Sequence, residues 1–596
     1  MRVGKRAVLL LTVVAAMLLA CAGVVLAQQG GRGTSGEDSP SYGGQDGERF
    51  APGKLIVKLK DGAAQEDLEA LNRRNGARTD KAELAPDLVP GLNLVSLPQG
   101  LAVREAVGRY KASSAVEYAE PDFIRDADQT TTDPLPTNPP TDTSYTDGTL
   151  WGLNNTGQNS GTIDADVDGP EAWNTGGGAP GVVVAVIDSG VDYNHPDLNA
   201  NIWRNTDEIA DNKIDDDGNG YVDDVRGYDF ANNDANPMDD NGHGTHVSGT
   251  IAGENNGAGV VGVNWTAEIM PLKFLGSTGS GSTSNAIRAL DYAVAKGAKL
   301  SNNSWGGGGY SQALYDAISR ANTKGSLFVA AAGNGGSDGV GDNNDTSPHY
   351  PSSYNLDNII AVASTTRTDS LSSFSNYGST SVDLAAPGSS IYSTLPGGTY
   401  GSKSGTSMAT PQISGALSLL LSKGSTLPNT APEAAAAKKA IIDSSVDNTC
   451  ALLSGKVVSE GRLNVSRLVG GETPDVAPPT VCSTKPASGA SGVARTTTVS
   501  ATFSEAMDED SVEEVDPTTG KPTNFTLVKD GSTTQVDATV SYDAETKKVT
   551  LVPKTALSSR TTYRATVKGG ANGAKEAALE KKPLASDKSW TFKTAR

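Results

Sequence analysis

The chain has 596 residues, of which 49 are Lys or Arg and 69 are Asp or Glu, giving a formal net charge of −20. This length predicts two to four folding units and is ample for a buried core. With 37% hydrophobic residues, 20% charged residues and 68 glycines, the composition excludes a polar disordered chain, a multi-pass membrane protein, a collagen and a coiled coil.

The acidity is concentrated in residues 151–240, which contain 3 Lys or Arg and 19 Asp or Glu. Nucleic-acid binding needs clustered basic side chains that displace phosphate counterions, so we expect no nucleic-acid partner. Such a density of carboxylates indicates either bound cations or an acidic surface exposed to solvent.

Residues 1–27 have the pattern of a secretory signal peptide. Three basic residues near the start precede an apolar segment that ends at Ala27, before polar residues. We therefore expect a secreted protein without stable membrane insertion. The segment Leu18-Leu-Ala-Cys21 also resembles a bacterial lipoprotein cleavage site, so one alternative is a lipid anchor through Cys21, and a retained membrane anchor is another. In an exported chain, Cys450 and Cys482 either form a disulfide or remain thiols.

A flexible spacer, residues 28–50, precedes a small α+β domain, residues 51–125. Apolar periodicity predicts three strands and two helices in this domain: strands 54–60, 92–97 and 116–124, and helices 65–74 and 102–112. The next residues, 126–147, are rich in Thr, Pro and Asp, a composition typical of an exposed, cleavable linker.

Residues 148–470 alternate between strand and helix patterns, which predicts a doubly wound, mostly parallel α/β sheet. An unbroken apolar run, 182–187, is typical of a strand buried on both faces, and it ends at Asp188. Because open α/β sheets bind ligands at the carboxyl ends of their strands, Asp188 is a candidate site residue.

Two further motifs carry residue types used in nucleophilic catalysis. His243 lies at the glycine-flanked start of a predicted helix, 241–253, and Ser407 lies in Gly405-Thr-Ser-Met-Ala-Thr-Pro411, before an apolar helix. A lone histidine or serine at a helix start is often structural, the serine as an N-cap. Together, Asp188, His243 and Ser407 supply an orienting carboxylate, a general base and a nucleophile.

The motifs Asp188-Ser-Gly190, His243-Gly-Thr-His246 and Gly405–Pro411 resemble those of the subtilisin-like serine peptidases (subtilases), in the order in which that family carries them. The resemblance covers residues 150–470 and implies peptide-bond hydrolysis through an acyl-enzyme. Ser407 would attack the carbonyl carbon, His243 would carry the proton, and Asp188 would hold the imidazole. The family also uses an asparagine in its oxyanion hole, for which Asn334 fits.

The glycine-rich segment after a predicted strand is expected to bind an extended protein or peptide substrate through main-chain hydrogen bonds. Its residues are Ser304, Trp305, Gly306 and Gly307. Main-chain pairing is insensitive to side chains, so we expect broad endopeptidase specificity.

The segment 215–224 fits the beginning of an EF-hand-type calcium loop but lacks the terminal glutamate. Asp215, Asp217, Asn219 and Asp223 would supply oxygen ligands around a tight glycine turn. Resemblance to the subtilases also implies structural Ca²⁺ at a second site, which contains Asp197 and Asn256.

Under the same resemblance, residues 51–125 would be an inhibitory propeptide removed by self-cleavage in or near the linker 126–147, or else a permanent accessory domain. After a second linker, 471–479, short strands predict an all-β Ig-like sandwich at 480–596. We therefore expect a monomeric, secreted, calcium-stabilised serine endopeptidase that its own propeptide inhibits. The rival hypothesis is a surface binding protein whose protease-like domain is only a scaffold.

Overall fold

The structure is a computed structural model. It describes residues 49–596 except 82–83, 87, 128–130, 133–143, 146, 175–180, 337, 424–426, 445, 448–451, 471–478, 545, 571–572 and 578–581. The predicted signal peptide and Cys21 therefore lie outside the described residues, as do Cys450 and most of both predicted linkers. In the part of the chain that is described, no helix is both long enough and apolar enough to cross a membrane.

The N-terminal domain is an antiparallel sheet with two helices packed on it, and alternate residues of its first strand, Leu55 and Val57, lie in its core with Leu68 and Tyr110. Its elements are β1 (Phe50–Leu59), α1 (Gln65–Asn75), β2 (Arg78–Lys81), β3 (Leu92–Ser96), α2 (Val103–Lys111) and β4 (Val116–Ala127). The order of its strands is β4-β1-β3-β2. Strand β4 runs two residues into the predicted linker, and a short strand, β5 (Thr131–Thr132), follows.

The central domain contains the strands and helices that the alternating pattern predicts, together with several short elements. Its strands are β6 (Val183–Asp188), β7 (Tyr228–Asp229), β8 (Glu268–Lys273), β9 (Ser280–Ser282), β10 (Leu300–Asn303), β11 (Trp305–Gly306), β12 (Leu327–Ala331), β13 (Ile359–Thr365), β14 (Leu384–Pro387), β15 (Ile391–Leu395), β16 (Thr399–Ser404), β17 (Val446–Asp447) and β18 (Arg462–Leu463). Its helices are α3 (Gly169–Asn174), α4 (His243–Ala252), α5 (Thr283–Ala295), α6 (Gln312–Thr323), α7 (Thr406–Ser422), α8 (Ala431–Ser444) and α9 (Val465–Leu468), with 3₁₀ turns at Gln158–Ser160 and Asn199–Asn201.

The central sheet is covered by helices on both faces. Among the described residues its strand order is β17-β18-β14-β13-β12-β10-β6-β8-β7, and its pairs are parallel except β17 with β18. Successive residues of β6 point to opposite faces. Val184 and Val186 pack in the same core as α4 and α7, whereas Ala185 and Ile187 pack with α5 and α6. The predicted doubly wound α/β class is therefore confirmed.

The C-terminal domain is a sandwich of two mostly antiparallel sheets. Its core includes Phe503, Phe525, Trp590 and Phe592. Its elements are β19 (Val481–Lys485), β20 (Ala490–Val493), β21 (Val499–Phe503), α10 (Glu509–Val512), β22 (Phe525–Lys529), β23 (Ala538–Asp543), β24 (Lys548–Pro553), β25 (Thr562–Val567) and β26 (Lys588–Thr594). The sheet orders are β19-β21-β24-β23 and β20-β26-β25-β22. Cys482, on β19, is disulfide-bonded.

Candidate active site

Asp188 and His243 meet at the carboxyl end of the central sheet. Asp188 is the last residue of β6, and His243 is the first residue of α4, whose N-cap Gly242 has a φ of 90°. His243 Nδ1 donates to Asp188 Oδ1 at 2.8 Å, and both side chains are fully buried. The other ring nitrogen, Nε2, has no hydrogen-bond partner among the described residues. Asp188 therefore fixes the tautomer that presents an unprotonated Nε2.

Ser407 is the second residue of α7, a helix packed against α4. The N-cap of α7 is Gly405, so Ser407 is not the capping residue. Its hydroxyl donates to the carbonyl oxygen of Ser304 at 2.9 Å, and no hydrogen bond joins it to His243 Nε2. The Ser407 hydroxyl group is thus directed at Ser304 rather than at the imidazole of His243.

Asn334 follows β12 and lies beside the start of α7. Its Oδ1 accepts hydrogen bonds from Thr406 N at 2.8 Å and from Thr406 Oγ1 at 3.1 Å. These two bonds fix the orientation of the amide. The amide nitrogen, Nδ2, is buried without a partner among the described residues, which leaves two N–H donors for an oxygen atom close to Ser407.

Asp239, which the sequence analysis did not single out, holds the start of α4. Its Oδ1 accepts from Ser189 Oγ at 2.9 Å and from Gly242 N at 2.8 Å, and its Oδ2 accepts from Thr245 N at 2.9 Å. Ser189 Oγ accepts in turn from Gly244 N at 2.9 Å. A carboxylate at the N-terminal end of a helix satisfies the free backbone N–H groups there, and so these bonds position His243 indirectly.

The predicted substrate-binding segment pairs with the N-terminal domain. Strand β4 lies between β9 and β11 and is antiparallel to both. Ala127 is opposite Trp305 and Asp126 is opposite Gly306, while Arg125 is opposite Gly281 of β9. The end of the N-terminal domain thus pairs with the segment that the sequence analysis predicts to bind an extended substrate.

Two carboxylates of β4 lie at the N-termini of neighbouring helices. Glu120 accepts from Ser311 Oγ at 2.5 Å and from Gln312 N at 2.9 Å, at the start of α6. Asp122 accepts from Ser284 N at 2.9 Å and from Ser284 Oγ at 2.7 Å, at the start of α5. Burial raises the pKa of both carboxyl groups, against the opposing effect of these hydrogen bonds. Both groups attach the N-terminal domain to the central one.

Carboxylates also converge in residues 205–224, which we call the acidic loop. Oxygen atoms of Glu208, Asp215 and Asp217 lie within 4.8 Å of one another and are able to hold a metal ion. Glu208 was not among the predicted ligands. Lys296 forms an ion pair with Asp217. Together these carboxylates bring more negative charge into the cluster than Lys296 balances.

The other two predicted ligands of the acidic loop, Asn219 and Asp223, are hydrogen-bonded to protein groups, as are the three carboxylates of the cluster. Asn219 Nδ2 donates to Asp224 Oδ2 at 2.8 Å. Asp223 Oδ1 accepts from Asn212 N at 3.0 Å, and its Oδ2 accepts from Lys213 N at 3.1 Å. Of the four predicted ligands, Asp215 and Asp217 are the two that the structure brings together, and Glu208 is the third member of this carboxylate cluster.

The residues predicted for the second calcium site, Asp197 and Asn256, contact each other directly. Asp197 Oδ1 accepts from Asn256 Nδ2 at 3.0 Å, and its Oδ2 accepts from Val260 N at 2.7 Å. Asp197 thus fastens the loop 254–260 through protein hydrogen bonds in this structure.

His246, one turn after His243 on α4, has a structural environment. Its Nε2 donates to the carbonyl oxygens of Ile391 at 2.9 Å and Gly401 at 3.1 Å. Burial, followed by the charge of Lys403, lowers the pKa of His246 to about 3. The ring is therefore neutral near pH 7 and serves to join α4 to β15 and β16.

Comparisons with known proteins identify the family of each domain. The model of the subtilase family matches residues 179–471, a model of the fervidolysin N-terminal prodomain matches residues 37–122, and a bacterial Ig-like domain model matches residues 475–594. Thermitase of Thermoactinomyces vulgaris is 39% identical over 306 residues, which cover 51% of this chain and 93% of thermitase. A thermophilic serine proteinase of Bacillus sp. strain AK1 is 36% identical over 379 residues, covering 63% of this chain and 79% of that enzyme.

The crystal structure of fervidolysin from Fervidobacterium pennivorans, a keratinolytic enzyme related to subtilisin, shares the fold. Its TM-score is 0.54 at 21% identity, with 92% of this chain and 77% of that chain covered. The chain therefore belongs to the subtilase family of serine peptidases, and it carries a fervidolysin-like N-terminal prodomain and a bacterial Ig-like domain.

Proposed function

We propose that this subtilase is a secreted, calcium-stabilised endopeptidase that uses Ser407 as nucleophile, His243 as general base and Asp188 as the orienting carboxylate. The observation that carries this proposal is the buried 2.8 Å hydrogen bond between His243 Nδ1 and Asp188 Oδ1, with Nε2 left without a partner. Because Nδ1–H is committed to Asp188, Nε2 is the atom that accepts a proton.

In the proposed reaction, Ser407 Oγ bonds to the substrate carbonyl carbon as its proton passes to His243 Nε2. The tetrahedral intermediate collapses, the peptide C–N bond breaks, and the leaving amine takes that proton. Water then repeats the sequence on the acyl-enzyme and releases the acid and the free serine. Asn334 Nδ2 and the Ser407 backbone N–H would donate to the oxyanion.

The prodomain would be removed by the chain's own active site. Strand β4 ends on Trp305 of β11, whereas β5 begins opposite Ser404 of β16, three residues before Ser407. The residue before β11, Ser304, accepts a hydrogen bond from Ser407 Oγ through its carbonyl oxygen, so the proposed nucleophile lies one register position beyond the last β4–β11 pair. Residues 128–130 lie outside the described residues, and we propose the Asp128–Gln129 bond, within the predicted linker, as the first bond cut.

Calcium is proposed for the acidic loop because Glu208, Asp215 and Asp217 form a hard, all-oxygen ligand set. These residues would hold the ion, and its charge would offset the repulsion between the three carboxylates. Asp197 and Asn256 are proposed for a second ion, with loop carbonyls as the remaining ligands.

An extracellular location is supported by the signal-like residues 1–27 and by the disulfide at Cys482, because disulfides persist in oxidising compartments. We propose Cys450 as the partner of Cys482, a monomeric enzyme, and protein or peptide substrates. The rival proposal, a surface binding protein with an inert peptidase scaffold, is disfavoured because Asp188, His243, Asn334 and Ser407 are all present and converge at one end of the sheet.

The test uses the full-length precursor of the wild type, of Ser407→Ala, and of Ser422→Ala as a matched control at the other end of α7. We expect intact mass to show loss of the prodomain in the wild type and the control, and peptide hydrolysis to fall by about 10⁶-fold in Ser407→Ala. A fluorophosphonate probe should label only the two active proteins. Processed wild type that neither hydrolyses peptides nor reacts with the probe would favour the rival proposal.

A further inference from the structure

Arg125, near the end of β4, has one of the largest fully buried side chains among the described residues. Its Nε donates to Thr283 Oγ1 at 3.0 Å, and its Nη2 donates to the carbonyl oxygen of Gly309 at 3.3 Å. Its Nη1 donates to the carbonyl oxygen of Gly307. All three nitrogen atoms of the guanidinium group therefore have oxygen partners, and each of these partners belongs to the peptidase domain.

The walls of this pocket are fixed by backbone and glycine geometry. Gly308 has a φ of +71°, and a Cβ atom there would lie 3.0 Å from the carbonyl oxygen of Ile124 and 3.4 Å from Arg125 Nη1. A side chain at this position would crowd both the strand and the guanidinium group. The Tyr354 hydroxyl group lies beside Arg125 and donates to the carbonyl oxygen of Ser311 at 2.9 Å. The peptidase domain thus supplies a set of oxygen acceptors around a planar cation.

We infer that this pocket is a specificity site of the mature enzyme, and that it selects arginine at the fourth residue before the cleaved bond of a substrate. The inference rests on the proposed function, because Arg125 holds that position only if Asp128–Gln129 is the bond that is cut. A substrate strand that pairs with β9 and β11 in the register of β4 places its own side chain in the same pocket.

The oxygen acceptors of the pocket distinguish between substrate side chains by hydrogen-bond geometry. Arginine presents its donors in a rigid planar fork, whereas lysine carries its donors on one nitrogen and reaches fewer of the separated oxygens. An apolar side chain would leave the carbonyl oxygens of Gly307 and Gly309 desolvated without donors, which is unfavourable. Main-chain pairing still accepts any sequence, so the broad specificity expected from the glycine-rich segment is narrowed at this one position.

The proposal can be tested on the self-processed wild-type enzyme with three quenched fluorescent peptides. Their sequences are X-Asp-Ala-Asp-Gln-Thr-Thr, where X is arginine, lysine or norleucine. We expect kcat/KM for the arginine peptide to exceed that for norleucine by about 10- to 100-fold, with lysine between them. If the kcat/KM values for the three peptides agreed within twofold, the proposed role of the pocket would be wrong. If the enzyme hydrolysed none of the peptides and was not labelled by the fluorophosphonate probe, the proposed function itself would be refuted.

Two variants locate the effect in the pocket. Thr283→Val removes the acceptor of Nε and Tyr354→Phe removes the hydroxyl group, so each should reduce the arginine-to-norleucine ratio by about tenfold. Thr323→Val at the end of α6 and Tyr377→Phe are the matched controls, for which the ratio should not change. A ratio that is unchanged in both pocket variants would contradict the assignment.

A separate measurement distinguishes substrate selection from a contact that serves only the prodomain. In the full-length chain, Arg125→Lys and Arg125→Leu keep Glu120 and Asp122, the other β4 anchors. We expect self-processing to slow in the order Arg, Lys, Leu, parallel to the peptide series. Slow processing of Arg125→Leu combined with no preference among the peptides would assign Arg125 to prodomain binding alone and would overturn the inference.

Discussion

The catalytic cleft and the acidic loop both contain carboxylates, but in the loop three carboxylates converge on one another, whereas in the cleft Asp188 faces an imidazole. In the cleft, Asp188 and Asp239 accept hydrogen bonds from an imidazole, hydroxyl groups and backbone N–H groups. In the acidic loop, three carboxylates converge with Lys296 as the cation paired to one of them. The carboxylates of the cleft are therefore held by residues distant in sequence, whereas those of the loop come from neighbouring residues. Of these two regions, we expect only the loop to need an ion.

The sharpest test of the cleft's dependence on protein partners is Asp188→Asn. The amide would keep the shape of the side chain but would favour the wrong histidine tautomer, so the rate of self-processing should fall by about 10⁴-fold. Intact mass of the precursor over time measures this rate. If excess calcium restored the rate of self-processing in Asp188→Asn, the cleft would depend on the ion, contrary to our expectation.

Asn334→Leu tests the unpartnered donor in the cleft. Loss of the Nδ2 donor should lower kcat by about 10²–10³-fold with little change in KM, because the oxyanion exists only in the transition state. Steady-state hydrolysis of a peptide by the processed variant gives both constants. A rise in KM at unchanged kcat would show that Asn334 binds the ground state instead.

Calcium removal should act on the loop and leave the triad intact. If calcium is present at 100 times its dissociation constant, its removal would lower stability by about 2.7 kcal/mol, or roughly 4 °C in the midpoint of thermal unfolding of a domain of this size. Differential scanning calorimetry of Ser407→Ala, in calcium or in EGTA, measures this shift in the unfolding midpoint. The variant is used because the active enzyme would digest itself.

Glu208→Gln should reduce the shift caused by EGTA, because it removes one ligand, whereas Asp207→Asn, at the adjacent exposed carboxylate, should preserve it. Equal shifts in the two variants would place the ion elsewhere.

The effect that is smallest per pH unit concerns acid stability and His246. Its pKa is about 3 in the folded protein and about 6.5 when unfolded, so between these values the unfolded chain binds a proton that the folded chain does not. The free energy of unfolding should therefore fall by about 1.4 kcal/mol per pH unit as the pH falls through this window. Tryptophan fluorescence of urea unfolding in the Ser407→Ala background measures the slope, which should be shallower by one proton in His246→Gln. An unchanged slope would contradict this role for the buried ring.

Sequence patterns predicted the elements that are buried on both faces. The apolar run before Asp188 became β6, and the glycine-flanked motifs of His243 and Ser407 became the starts of α4 and α7. In these elements the local sequence pattern and the observed burial indicate the same structure. The half-exposed strands β19 and β20 had no such signal, because their pairing to the rest of the sandwich does not require an alternating apolar pattern.

The residues that the sequence analysis missed act through distant partners. Glu208 precedes Asp215 by seven residues and lies outside the spacing of an EF-hand-type loop, although its acidic surroundings were a weak signal. Arg125 lies just after the predicted strand 116–124, which was ended there because polar residues rarely indicate a buried strand. Strand β4 continues there because its partners, β9 and β11, supply backbone groups from residues more than 150 positions away.

Strand β4 belongs at once to the prodomain sheet and to the cleft. Before the proposed cut, its contacts with β9 and β11 form within one chain, at an effective concentration that the linker sets. After the cut, the same contacts become an equilibrium between two molecules. Dilution alone should then release the inhibitor, and if the enzyme is secreted as proposed, the onset of activity would depend on how far it spreads from the cell.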